Sequence, residues 1–178
     1  EFELLTLGDA DAIFICHYDE YDVKHIILID AGNVGDGETI KKHLRKYYGT
    51  YKIDLAICTH PDKDHKGGFF YLLNDDDVQI EEFWLPDPAH YIKDEDIKNA
   101  SGRNAVRKVR DIWESLDDSR ENLIDLAIGN CERVFTVLAG VNHDMLPISI
   151  VAPTADYYTE VAKQMVADYG VKTYDESD

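Results

Sequence analysis

The chain opens with apolar residues at strand spacing. Residues 4–7 and 12–18 predict two strands, and residues 23–30 predict a third that is apolar enough to be buried. Asn33-Val-Gly-Asp-Gly37 breaks this pattern, and Asp36 and Gly37 precede an amphipathic helix from Glu38 to Tyr48. Residues 52–58 return to strand character, with Asp54 ahead of the apolar run Leu55-Ala-Ile-Cys58. Phe69-Phe-Tyr-Leu-Leu73 then reads as the apolar face of a short helix. Asn74-Asp-Asp-Asp77 is a solvated acidic turn, Val78 to Leu85 is the next strand, and Pro86-Asp87-Pro88 punctuates the chain.

The second half is less regular. Residues 93–129 are helical and charged in pattern, with Ile112, Leu116, Leu123, Ile124 and Leu126 on an apolar face. This segment is expected to cover a sheet or to dock a protein partner. Arg133 to Leu138 and Pro147 to Val151 predict a hairpin that turns at Gly140 to Asp144. Tyr157 to Tyr169 predicts a last amphipathic helix, and Asp175-Glu-Ser-Asp178 is an acidic tail. No internal repeat or low-complexity linker interrupts the chain, and all 178 residues are read as one α/β domain.

The chemistry concentrates where the fourth strand ends. Thr59-His60-Pro61-Asp62-Lys63-Asp64-His65-Lys66-Gly67-Gly68 places His60, Asp62, Asp64 and His65 within six positions. Imidazole nitrogen and carboxylate oxygen both ligate divalent ions. Residues two apart on an extended strand point the same way, so His60 and Asp62 can converge on one ion. Asp64 and His65 lie past the bend, where a helix begins, and can face a second. Gly67 and Gly68 are expected to permit a tight backbone turn. The same residues also admit a plain polar turn, with Asp64 as a helix N-cap and both histidines solvated.

The segment resembles the T-H-x-[HD]-x-D-H-x-G-G signature of the metallo-β-lactamase fold superfamily. Ile26-Ile-Leu-Ile-Asp30-Ala-Gly32 is similar to that superfamily's early strand ending in I-D-x-G, and Leu5-Thr-Leu-Gly-Asp-Ala-Asp-Ala-Ile-Phe-Ile15 is similar to its first β-hairpin. The resemblance covers residues 4–85. It implies an αββα sandwich, present mainly as its N-terminal half, with a dinuclear centre of zinc or manganese. It also implies that Asp30 supports the metal loop rather than ligating. Asp62, where most members carry His, points to the branch near the hydrolase domain of ComEC-type DNA-uptake proteins. That substitution makes the first site harder and more anionic, which favours manganese somewhat while still admitting zinc.

The pattern's later elements are a further His, a Gly-Asp turn after a late strand and a final His; no such Gly-Asp turn appears here, and no His follows His143. The chain is therefore expected to be incomplete, because a half fold would expose a sheet edge and one face. The absence of an initiating Met suggests a missing upstream segment as well.

Composition narrows the substrate. A net charge of −18 repels polyanions and weighs against nucleic acid. One basic patch runs the other way: Arg103, Arg107 and Arg110 share helical spacing with Lys108 among them. They can face a phosphate, or pair with Glu114, Asp117 and Asp118 on a solvated helix. Cys16, Cys58 and Cys131 are far apart in apolar surroundings, as expected of buried thiols in a reducing, cytoplasmic setting. No run of 18 apolar residues is available to span a membrane. His17 and His25 are expected to be structural, His43 to lie on an exposed helix face, and His90 and His143 to lie in loops.

Three functions are consistent with these residues. The first is a metal-dependent hydrolase of phosphodiesters, a nuclease included. The second is a hydrolase of a small ester, lactone or thioester. The third is a non-catalytic module that docks a partner through residues 93–129.

Overall fold

A computed structural model describes residues 1–91, 110 and 122–164, which fall into two compact units. The first holds residues 1–86 and 122–136; the second holds residues 87–91, 110 and 137–164.

The first unit is an α/β layer. Its strands are β1 (Phe2–Leu4), β2 (Ile13–Tyr18), β3 (Lys24–Ile29), β4 (Lys52–Ile57), β5 (Gln79–Leu85) and β6 (Arg133–Thr136). They form one six-stranded mixed sheet in sequential order. β1, β2 and β3 pair antiparallel, whereas β3 to β6 run parallel. The parallel connections carry helices α1 (Gly37–His43), α2 (Lys63–Leu73) and α3 (Leu123–Asn130). Right-handed crossovers between successive neighbours place such helices on one face.

The register defines that face. Glu3, Phe14, Leu28, Ala56, Phe83 and Val134 are successive cross-strand partners over all six strands. Phe14 stacks on His43 of α1 with ring centroids 5.3 Å apart, and Phe83 meets Phe69 of α2 edge-on at 4.9 Å. Phe14, Leu28, Ala56, Phe69 and Phe83 are all inaccessible to solvent. Each large one contributes roughly 1.5–3 kcal/mol by leaving water. β4 is apolar and buried on both faces at its carboxyl end, with Ala56 on this side and Leu55 and Ile57 on the other, whereas Lys52 and Asp54 precede Ala56 on its face.

Most expected elements are present. The helix expected from Glu38 to Tyr48 exists as α1 followed by a π-helical turn, Leu44–Tyr48, which stops at Gly49 in the left-handed region (φ 71°). His43 differs from expectation. It is largely buried, with Nε2 2.9 Å from Glu3 and its ring against Phe14.

The hairpin expected from Arg133 to Val151 is split. Arg133–Thr136 joins the sheet beside β5 in parallel, after a crossover through α3 that buries Leu123, Ile124 and Ala127. In the second unit, residues 139–153 form a smaller hairpin-like loop, in which Gly140 N–H donates to Ile150 O and Ile150 N–H to Val141 O. His143 Nδ1 there accepts from the backbone N–H groups of Met145 and Leu146. Helix covers residues 155–164. The rest of the expected last helix, the acidic tail and residues 93–121 other than Arg110 lie outside the described residues. Among the described residues no helix is long and apolar enough to cross a membrane.

Candidate metal centre

The ligand-type residues gather at the carboxyl ends of β3 and β4, where open α/β sheets generally present their ligands. Asp30 follows β3 directly. Its N–H donates to Ile57 O at 2.8 Å, which continues the ladder one residue past the strands. Asp30 then takes a left-handed conformation, φ 56°, that Asp tolerates better than most residues. This turn buries its carboxylate, leaving Asp30 only 5% exposed.

Three donors satisfy that carboxylate. Thr59 N–H donates to Oδ1 at 2.8 Å, the Thr59 hydroxyl lies 2.6 Å from Oδ2, and His65 Nδ1 lies 2.9 Å from Oδ2. Asp30 is thus the anchor of both halves of the motif, one on the strand exit and one on the helix. Its oxygens are near enough to His60 and His65 for all three residues to share an ion geometrically. The occupied lone pairs nevertheless fit an orienting carboxylate behind the ligands better than a ligand.

His60 and His65 face each other with ring centroids 3.8 Å apart. His60 Nδ1 is 2.8 Å from the Thr59 hydroxyl, and its Nε2 is 3.7 Å from the Asp62 carboxylate. His65 Nε2 is 3.6 Å from Asp64 and 3.8 Å from Asp11. Asp62 and Asp64 thus each approach one imidazole, but among the described residues only Asp30, His60 and His65 bring their ligand atoms within 4.8 Å of one another.

The start of α2 explains why the carboxylates are available. Asp62, not Asp64, occupies the N-cap position, and it makes no side-chain capping bond. Its carbonyl accepts from His65 and Lys66 N–H, so the backbone starts the helix and leaves the carboxylate to solvent. Asp64 lies in the first turn, where the helix dipole favours an anion.

The diglycine has a different role from the expected one. Gly67 and Gly68 lie inside α2 and make no turn. A Cβ on Gly68 would strike the Ala31 carbonyl oxygen, and one on Gly67 would strike the backbone of Asn33 and Val34. Gly68 N–H donates to Gly32 O at 3.1 Å and Ala31 N–H to His65 O at 2.7 Å. The missing side chains let the helix backbone press against the loop after Asp30, which holds His65 over that carboxylate.

Two contributors were not legible as such in the motif. Thr59 joins Asp30 to His60 through its hydroxyl. Asp11 comes from the loop before β2, and its backbone is tied to both sides of the site: Asp11 N–H donates to Asp64 O at 3.3 Å, and Gly32 N–H donates to Asp11 O at 2.9 Å. The only sequence signal for it is the acid pair Asp9 and Asp11 at the tip of the first hairpin.

The basic patch is accounted for in part. Arg110 donates through Nε and Nη2 to Asp87, at 3.1 and 2.5 Å, and Asp87 is almost fully buried. Asp87 also accepts from Ala89 N–H, and His90 lies 3.9 Å away. Arg103, Arg107 and Lys108 lie outside the described residues.

No protein-family profile matches the chain, and no curated protein matches it.

Proposed function

We propose that the chain is a metal-dependent hydrolase of the metallo-β-lactamase type whose substrate is a phosphodiester. The observation that carries this reading is the convergence of His60 and His65 in front of Asp30, with Asp62 and Asp64 beside them. Mixed imidazole and carboxylate donors suit zinc or manganese, and Asp62 shifts the preference toward the harder ion. His60, Asp62, Asp64 and His65 would hold two such ions, which would supply Lewis-acid polarisation of the substrate and a water acidic enough to attack it near neutral pH.

The chain's own groups do the positioning. Asp30 fixes the His65 ring through Nδ1 and leaves Nε2 directed toward Asp64 and Asp11. Asp64, partly exposed beside His65, can accept a hydrogen bond from the attacking water and orient it toward the scissile centre. The Gly67-Gly68 contact keeps α2 from drifting, which matters because small misplacements of a reacting pair are costly.

A second reading, a hydrolase of a small carboxylic ester, lactone or thioester, is favoured by two observations. The net charge of −18 opposes a polyanion, and Arg110 is committed to Asp87. Assaying a bis-aryl phosphodiester, single-stranded DNA and an aryl ester with manganese or zinc separates the readings. Phosphodiester turnover lost in Asp64→Ala supports the first, and ester turnover alone supports the second. No turnover, with metal content unchanged in Asp64→Ala, would leave a non-catalytic module.

A further inference from the structure

Thr59 carries one hydroxyl proton and stands between two groups that both approach its oxygen. On one side is Asp30 Oδ2 at 2.6 Å; on the other is His60 Nδ1 at 2.8 Å. An ionised carboxylate can only accept. The 2.6 Å separation lies in the range of a charge-assisted O–H···O⁻ bond, so the Thr59 proton lies on that line. The hydroxyl then has only lone pairs to offer His60, and the contact at 2.8 Å requires His60 Nδ1 to be the donor. His65 obeys the same logic directly, because its Nδ1 faces the same Oδ2 at 2.9 Å.

We infer that Thr59 is a positioning residue that sets the tautomer of His60, relaying the Asp30 carboxylate to a ring that Asp30 does not itself touch. The bonds run from His60 to Thr59 to Asp30, and from His65 to Asp30. Both imidazoles carry their proton on Nδ1 and turn an unprotonated Nε2 toward the carboxylates of Asp62 and Asp64. One buried anion thereby orders two bases, one directly and one through a hydroxyl. The inference deepens the metal-centre reading, since a tautomer fixed by a partner on the far nitrogen is what a metal-ligating imidazole needs.

The relay predicts an asymmetry between the two histidines. Thr59→Val keeps the shape and the Thr59 N–H bond to Asp30 Oδ1 while removing the hydroxyl. His60 is then free to protonate Nε2, and His65 is not. Long-range ¹⁵N–¹H NMR of the metal-free chain, at a pH where both rings are neutral, reads the tautomers directly. The wild type should show Nδ1–H at both rings. Thr59→Val should convert His60 to mainly Nε2–H and leave His65 unchanged, and Thr59→Ser should restore the wild-type pattern. Zinc affinity by calorimetry should fall about 10- to 100-fold in Thr59→Val and recover in Thr59→Ser.

Nε2–H at His60 in the wild type, or an unchanged pattern in Thr59→Val, overturns the relay. Tautomers as stated, without zinc or manganese uptake by the wild type, would support the relay and overturn the metal reading instead.

Discussion

Asp30 and His65, 35 positions apart, meet through Oδ2 and Nδ1 at 2.9 Å, and this bond joins the end of β3 to the first turn of α2. The same carboxylate holds Thr59 at the end of β4. Removing it should therefore loosen three segments at once. Asp30→Ala would leave Thr59 N–H and His65 Nδ1–H without their acceptor; Thr59 is exposed and His65 half-buried, so water offsets part of the loss and each bond is worth about 1 kcal/mol. Asp30→Asn tolerates the left-handed backbone but cannot accept from every donor. Urea denaturation should rank wild type above Asp30→Asn above Asp30→Ala, and zinc affinity should fall in both variants by about 10- to 100-fold.

The two glycines of α2 predict a steric effect that helix propensity opposes. Alanine is the better helix former, so propensity alone would make Gly68→Ala mildly stabilising. The collision with the Ala31 carbonyl reverses the sign, and overpacking of this kind costs about 1–3 kcal/mol. Gly35 is the control, since it has a negative φ and no atom within 4 Å of the Cβ position. Thermal melts should show Gly68→Ala several degrees below wild type and Gly35→Ala at or slightly above it.

Lys41 and Asp75 supply a pH-dependent contribution far from the centre. The Lys41 ammonium, 2.7 Å away, holds the Asp75 carboxyl below its ordinary 3.8, with the Asp77 N–H assisting. A carboxyl whose folded pKa is depressed stabilises the fold fully above its unfolded pKa and loses that effect as pH falls through the folded value. Lys41→Met removes the cause. The gap in urea midpoint between wild type and variant should be present from pH 5 to 7 and should close as the pH is lowered below about 4. A gap that stays constant to pH 2 would contradict this origin.

The cysteines should be unreactive. Cys16 and Cys58 are buried as expected, whereas Cys131 is only half-buried, with desolvation still pushing its thiol up to about 12. At pH 8 only roughly one Cys131 in ten thousand would be thiolate, against a quarter or so of free cysteines. Ellman titration should find the thiols slow to react in native protein and all three accessible in denaturant. Rapid native labelling of Cys131 would contradict the raised thiol.

Much of this arrangement was legible in the sequence, because strand and helix periods report which face is buried. The acids and histidines after β4 stood out by spacing alone, whereas Asp30 stood out only through the resemblance of Ile26–Gly32 to an I-D-x-G strand end. What was not legible depended on tertiary contact. Gly67 and Gly68 look like a turn in sequence, and only the approach of Ala31 shows why a side chain is excluded. His43 falls on a polar stretch of its helix, yet Glu3 from β1 folds over it. Arg133–Thr136 carries no mark of its partner, and the apolar face of α3 decides that it runs parallel to β5. Asp11 joins the site because two backbone bonds fix its loop there, which no residue spacing records.

The most direct test is calorimetric titration of the chain with zinc and with manganese, beside His65→Ala and His143→Ala. His65 lies within the cluster, whereas His143 caps a turn in the second unit. Stoichiometric uptake by wild type and His143→Ala, weakened at least about tenfold in His65→Ala, is the predicted result. Absence of uptake, or uptake indifferent to His65, would contradict a metal centre at the ends of β3 and β4.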